Sequence, residues 1–397
     1  MKVFYQYKSH EEVLCYPNVN VRTLGIRYSI EKINGKILKH RMDTCKKIMY
    51  IRTERDPKET CEDIQTAINT NDGYYIAGEY HKRLPYACQW LIRNLPNGEP
   101  NIEAYYEEWK TVAPVLFKAG MQVNMYTLDR DVIFNSFNEL VPETVKEKLK
   151  IPNAEEQYWI AQSLHSGYRY AEEGFSGEAH HYDFKSFYPY LQINCDFPCG
   201  KPKFVTLKEY DPKLYRFAIY RWNDYSYDGR KKCDVLKLAD DGEPNALVWT
   251  ESIAGRSIFG RYVGTVFPLK EAGYDIAKEY LNKLTGLLAM YNWVKTPPED
   301  CYNICGDKYI SSDSIFKHPQ YAHLYSFICL FGRQMMSDIH KELGDSVKYV
   351  HTDGFLTTCK FDDSDINDGM SPNEIGYLRY EGSANYRVQS GRKIKIV

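Results

Sequence analysis

Apolar and polar residues alternate along Lys47-Ile-Met-Tyr-Ile-Arg52 and Gly73-Tyr-Tyr-Ile-Ala77, a period of two that predicts strands. Arg83 to Asn94 and Glu103 to Lys118 follow the helical period instead, which turns Trp90, Leu91, Trp109, Val112 and Leu116 inward. The N-terminal part therefore has an α/β pattern. Glu143 to Lys150 is a charged helical piece closed by Ile151-Pro152; proline pushes its predecessor out of the helical region, so a domain boundary is expected there, dividing the chain into 1–152 and 153–397.

From about residue 160 the runs shorten and become β-rich. His180-His-Tyr-Asp183 predicts a strand that ends in an acidic residue, followed by a turn of polar and aromatic residues and by Pro189, which can open a helix. Ala218–Trp222 and Asp234–Leu238 predict further strands. Lys270–Tyr291 and Tyr321–Leu343 carry the best helical patterns, the first with Ile276, Tyr280, Leu284, Leu287 and Leu288 on one side. Val347–Thr357 predicts a hairpin turning at Asp353-Gly354. No internal repeat or low-complexity segment is present.

Composition narrows the class without choosing a function. The 397 residues suffice for two or three domains, and 43% hydrophobic with 26% charged residues is a globular balance, against long disorder or a membrane protein. Lys+Arg 51 against Asp+Glu 53 gives a net charge of -2, so a polyanion would have to be met by a local basic surface. No apolar run approaches about 18 residues and the first residues lack a signal-peptide core, so a cytoplasmic protein with no membrane partner is expected. The 35 tyrosines are an excess of flat amphipathic surface, ordinarily half-buried packing. Eleven cysteines, an odd number, predict reduced thiols. Cys195 and Cys199 with Cys301 and Cys305 have a spacing that a four-thiolate zinc site permits, but buried free thiols are the preferred reading of their partly apolar surroundings.

Two aspartates stand out, each at a strand end beside a tight turn: Asp183 before Phe184-Lys-Ser-Phe-Tyr188, and Asp353 in the hairpin. On neighbouring strands of one sheet, such a pair can hold two magnesium ions about 4 Å apart. Between them, Lys278, Asn282 and Gly286 recur at i, i+4 and i+8 on one side of a helix, where a lysine can meet phosphate oxygens. Each feature alone is ordinary turn or surface chemistry.

Together the three segments resemble the signature of family B DNA polymerases, in particular the protein-primed branch of phages and linear plasmids. Asp183-Phe-Lys-Ser-Phe-Tyr-Pro189 is similar to motif A, Lys278, Asn282 and Gly286 match the spacing of motif B, and Tyr349-Val-His-Thr-Asp-Gly354 looks like motif C. Ser166-Gly-Tyr-Arg169 is similar to the template-contacting linker, and Ile375–Gly382 followed by Arg392-Lys-Ile-Lys395 resembles the region leading to the primer-gripping motif. The resemblance covers roughly 160–397. It implies an α+β fold: a polymerase palm, an antiparallel sheet carrying two carboxylates, with helical fingers at about 255–320, and an N-terminal α/β domain similar to a degenerate exonuclease.

What the resemblance implies for function is templated addition of deoxynucleotides to a 3′-hydroxyl or a protein hydroxyl. Asp183 and Asp353 would be the catalytic metal ligands, joined by the Phe184 carbonyl, for two Mg2+ ions or Mn2+. The backbone of Lys185, Ser186 and Phe187, with Lys278, would cradle the triphosphate; Tyr188 would exclude a ribose 2′-hydroxyl; Asn282 and Gly286 would face the nascent base pair. Tyr168, Arg169, Arg392, Lys393 and Lys395 would contact DNA, and Arg387 belongs to the same basic cluster. The partners would be deoxynucleoside triphosphates, a DNA template, and a primer or a priming protein.

The pattern departs in several places. His351 replaces the first motif C aspartate, and Thr285 stands where motif B has tyrosine, which predicts weaker nucleotide selection. No Asp-x-Glu occurs near the start, so no proofreading is expected. The resemblance ends about where a thumb would begin, so a short or absent thumb and low processivity are expected, with a protein partner as one replacement. Two alternatives stay open: a primase-like or template-independent terminal transferase, and a catalytically weak nucleic-acid-binding or assembly subunit.

Overall fold

The computed structural model describes the backbone of strands between residues 2 and 81, then 102–122, 130–208, 213–221, 244–294, 314–362, 364 and 366–390, with short strands at 235–236, 303–305, 308–310 and 393–396. The chain divides into two compact units, Met1–Pro114 with Gln122–Val132 and Val115–Met121 with Ile133–Val397. Pro152 lies inside the second. It precedes a helix start: Asn153 Oδ1 accepts from the Glu156 amide at 2.9 Å, and Glu156 Oε2 accepts from the Asn153 amide at 2.7 Å.

The first unit is built on strands β1 (Lys2–Tyr7), β2 (Tyr28–Ile33), β3 (Ile37–Met42), β4 (Ile48–Thr53), β5 (Thr66–Asn69), β6 (Tyr74–Ile76) and β7 (Glu79–His81). Five form one sheet in the order β4-β1-β5-β6-β7, with β1 parallel to both neighbours, and β2 pairs with β3 as a hairpin. The expected strands at 47–52 and 73–77 coincide with β4 and β6. The expected helix at 83–94, with Trp90 and Leu91, lies outside the described residues, as does the Trp109 side chain. Helix α1 (Ile102–Lys118) matches its pattern, with Val112 and Leu116 buried.

The second unit centres on a six-stranded antiparallel sheet of β8 (Arg169–Ala171), β9 (Ser176–Phe184), β10 (Val347–His351), β11 (Gly354–Thr357), β12 (Leu378–Ser390) and β13 (Lys393–Ile396). Its order is β13-β12-β9-β11-β10-β8. Alternation along β9 explains its two faces. Tyr182 and Phe184 point into the core, where Tyr182 stacks on Phe355 at 5.1 Å and donates to the Phe361 carbonyl at 3.1 Å. Asp183 takes the opposite face.

The helices of this unit are α2 (Arg130–Leu140), α3 (Ala154–Gln162), α4 (Phe187–Asn194), α5 (Gly255–Glu271), α6 (Asp275–Leu288) and α7 (Pro319–Leu343), of which α7 packs on β10. Phe137 of α2 packs on Phe259 of α5 and Tyr321 of α7, joining three helices through aromatic rings. Pro189 sits in the first turn of α4, where its missing amide costs nothing. The continuous helix expected from Lys270 is instead two: α5 ends at Glu271, Gly273 turns the chain with φ +90°, and α6 starts at Asp275. A glycine there relieves the steric cost of the left-handed region. Ile276, Tyr280, Leu284, Leu287 and Leu288 are buried as expected, and the Tyr262 hydroxyl of α5 donates to the Tyr280 carbonyl of α6 at 2.9 Å.

Thr285 also faces the core. It is 6% exposed, and its hydroxyl accepts from Gln192 Nε2 of α4 at 3.1 Å, so the residue joins α6 to α4 and does not look out over a bound base. Thr285→Val strands the buried Gln192 amide and should lower the unfolding free energy by about 1–2 kcal/mol. Thr285→Tyr, which overpacks the joint, should cost more. Urea unfolding checks both, and a Thr285→Tyr variant as stable as the parent would contradict this placement.

Candidate active site

The centre of the site follows from strand register. Gly354 of β11 is the direct partner of Asp183, Arg379 of β12 pairs with Asp183 on its other side, and His351 pairs with both Gly354 and Arg169. One row across the sheet thus reads Arg169, His351, Gly354, Asp183, Arg379. The hairpin joining β10 and β11 is two residues long, Thr352-Asp353, so Gly354 opens β11 and the turn lies one residue earlier than expected. The Asp353 carbonyl accepts from the Phe184 amide at 2.9 Å, which locks the turn to the end of β9. Thr352 Oγ1 donates to Asp353 Oδ1 at 2.6 Å and orients that carboxylate.

Among the described residues the non-glycine positions with positive φ are Ser186 at 53° and Thr352 at 61°. A β-branched residue in that region is strained; Thr352 adjoins Asp353, and Ser186 follows Asp183 by three residues. Gly167 permits the close packing here: a Cβ on it would lie 2.7 Å from the Tyr188 hydroxyl oxygen and 2.9 Å from Thr352 Cγ2. The sequence pattern quoted Gly167 only as part of the linker; its role shows once β8 and the hairpin are brought together.

Electrostatics at the pair is unfavourable. Burial, and then the Asp353 charge beside it, push the Asp183 carboxyl up to about 6, while Arg379 Nη2 opposes the rise with a hydrogen bond to Asp183 Oδ2 at 3.0 Å. Both carboxylates line two clefts. The larger, about 510 Å³, reaches across Ser186 and Tyr188 to Lys270, Lys278 and Asn282 on the helices. The smaller, about 280 Å³, opens over His181, Tyr349 and His351 on the sheet. The pair is therefore the ridge between two spaces.

The residues expected around the larger cleft divide. Lys278, Asn282 and Tyr188 line it, as do Phe184, Ser186 and Phe187. Burial raises the Tyr188 phenol above its ordinary range. Gly286 continues the exposed stripe of α6 into open space but is not part of the lining. The Lys185 amide is committed to the Tyr377 carbonyl at 2.9 Å, so of the three amides expected to cradle phosphate this one is engaged within the fold. The Lys185 side chain is 9% exposed, paired with Glu271 and bonded to the Pro372 carbonyl at 3.2 Å. Lys270 was not singled out from the sequence. Its ammonium donates to Ser186 Oγ at 2.8 Å at the cleft wall, and burial lowers its pKa. The Gly273 break, which ends α5 just past Lys270, was the signal that would have revealed it.

Of the residues expected on DNA, Arg169 is exposed beside His351, while the Tyr168 hydroxyl is bonded to His340 Nδ1 at 2.8 Å. Arg392 lies outside the described residues. Lys393 and Lys395 fall on β13, opposite Ser390 and Arg387. Cys195 and Cys199 are free thiols, the first pushed up to about 11 by burial; Cys301 lies outside the described residues and so does the Cys305 side chain. Among the described residues no helix is long and apolar enough to cross a membrane.

By likeness to solved structures this antiparallel sheet with its helices is a polymerase-like fold. The solved structures similar to this chain include phi29 DNA polymerase complexed with single-stranded DNA, at TM-score 0.54 and 15% identity over 93% of this chain and 69% of that one. The same polymerase complexed with primer-template DNA gives 0.53 at 15% identity over the same shares, and its ternary complex with incoming nucleotide 0.50 at 14%. No protein-family model matches the chain, and no curated protein matches it by sequence.

The raised Asp183 carboxyl fixes a pH dependence. The folded protein holds a proton on Asp183 that the unfolded chain has released, so metal-free stability falls as pH rises from the ordinary carboxylate range through about 6. Thermal unfolding in chelator should show this fall in the parent protein and a flatter profile in Asp183→Asn. Equal profiles would contradict the assignment.

Proposed function

We propose that the chain is a nucleotidyltransferase of the DNA polymerase type, extending a hydroxyl with deoxynucleotides under template direction. The observation that carries this reading is the carboxylate pair on the ridge between two clefts, one of them faced by lysines. In-line displacement at phosphorus needs an attacking oxygen and a leaving oxygen on opposite sides of the reacting centre, with charge neutralised between them. The larger cleft suits the triphosphate and the smaller one the primer terminus. DNA as the partner is supported by the neighbours, which are complexes of a polymerase with single-stranded or primer-template DNA.

The pair fits hard divalent cations. Its donors are carboxylate oxygens at the ends of adjoining strands. Mg2+ binds through one or two carboxylates and takes its remaining oxygens from water and phosphate, so two aspartates meet the protein's share. Asp183, Asp353 and the Phe184 carbonyl would hold such ions, which when bound supply charge neutralisation at the phosphate and acidify the attacking hydroxyl.

The chain's own residues do the rest. Lys270 and Lys278 hold the triphosphate from the helix side, Lys270 exchanging Ser186 Oγ for a phosphate oxygen. Tyr188, whose hydroxyl closes on Gly167 at the cleft wall, presents its ring to the sugar and disfavours a 2′-hydroxyl. Asn282 and Gly286 leave the exposed face of α6 open to a base pair, and Arg169 meets the DNA backbone beside His351. The basic positions of β13 lie at the opposite edge of the sheet and would meet the backbone there.

Incorporation of labelled deoxynucleotides with Mg2+ or Mn2+ on primed, unprimed or no DNA tests this directly. Templated extension is expected, and Asp353→Asn should reduce it by about a thousandfold or more. Product without primer or template would replace the reading by terminal transfer, and binding without incorporation would replace it by a non-catalytic role. Lys270→Ala should raise KM for the nucleotide about tenfold with the fold intact; an unchanged KM would remove Lys270 from the triphosphate site.

A further inference from the structure

Arg379 lines the larger cleft too, but reaches it from the sheet, and the chemistry above gives it no role. The lysines that suit a triphosphate approach from the helices, whereas Arg379 lies in the sheet as the direct neighbour of Asp183, with Nη2 at 3.0 Å from Oδ2. The same nitrogen lies 3.1 Å from Glu381 Oε1. Glu381 is the extra residue of a β-bulge: Tyr380 pairs with Tyr182 and Gly382 with His181, the next residue along β9. Bulges re-aim side chains, and this one coincides with a second carboxylate brought to one guanidinium.

The arrangement answers a physical difficulty. Asp183 and Asp353 repel each other, and before any divalent ion binds, the Arg379 guanidinium offsets part of that repulsion at Asp183. Once an ion arrives, the guanidinium is in the wrong place: it holds an Asp183 oxygen that the ion requires, and it repels the ion. At 44% exposure the Arg379 side chain can shift without loss of packing, and Glu381 keeps it paired after the shift.

We propose that Arg379 is a positioning residue, the resident counter-cation of Asp183, which yields to a divalent ion by moving fully onto Glu381, so that the two residues set the affinity of the carboxylate pair for metal. The proposal rests on reading that pair as the metal site. It makes the empty and loaded states two arrangements of one guanidinium, with Glu381 biasing the exchange towards the loaded state.

Manganese binding to the full chain, followed by electron paramagnetic resonance without DNA or nucleotide, tests it. Arg379→Gln and Arg379→Lys should both bind Mn2+ more tightly, by roughly fivefold or more, and Glu381→Gln more weakly. The lysine variant is decisive because it keeps the charge and loses the planar fork that holds Asp183. Metal-free Arg379→Gln should also unfold at lower temperature than the parent, with Mn2+ restoring the difference. Native-like Mn2+ affinity in Arg379→Lys would overturn the exchange, since charge at a distance would then suffice. Asp183→Asn separates the two claims: retained Mn2+ binding there would sink the metal site itself, whereas loss there with unchanged Arg379 variants would sink only the counter-cation.

Discussion

Two carboxylates that repel each other are held beside one another at the edge formed by the ends of a sheet's interior strands, and much of the second unit keeps them there. Burial and mutual charge push the Asp183 carboxyl up to about 6, so the pair is an unfavourable element that the surrounding bonds must offset. The register of β9 against β11 and β12 fixes Asp183, the bond from the Phe184 amide to the Asp353 carbonyl fixes the hairpin, and Thr352 orients the second carboxylate. Left-handed backbone occurs at Thr352, next to Asp353, and at Ser186, three residues after Asp183. Strain of this kind persists only where the fold over-determines it, and here it accompanies the chemistry.

The helices turn that edge into a site. The break at Gly273 sends α6 back along α5, which brings Lys270 and Lys278 to one cleft from two helices. Lys185 works behind the wall, its ammonium buried against Glu271 and its amide bonded to the Tyr377 carbonyl, so the turn after β9 is tied to the end of α5 and to the segment before β12. A near-neutral chain thereby presents local positive charge where a polyanion would bind, with no global basic field.

Much of the centre was legible in the sequence because it depends on local rules. Period-two runs ending in Asp183 and beside Asp353, with turn residues after each, implied neighbouring strands, and the stripe of Lys278, Asn282 and Gly286 stays on the exposed side of α6. What was not legible depends on partners distant in the chain. Thr285 lies on the apolar side of α6 with Leu281 and Leu288, but its partner, Gln192 of α4, is far off in the chain, and Lys270 reaches the cleft because a single glycine ends its helix. The Arg379 contact with Asp183 spans 196 positions and follows from sheet order alone. Lys185 differs for the same reason: the resemblance implied its amide for phosphate, and the bond of that amide to the Tyr377 carbonyl joins residues far apart in the chain.

The most direct test of the central claim is anomalous diffraction from crystals of the protein grown with Mn2+ and a non-hydrolysable deoxynucleoside triphosphate. Manganese is expected at the Asp183 and Asp353 carboxylates, with the triphosphate lying towards Lys270 and Lys278. Manganese absent from that pair, or a triphosphate bound elsewhere, would contradict the account.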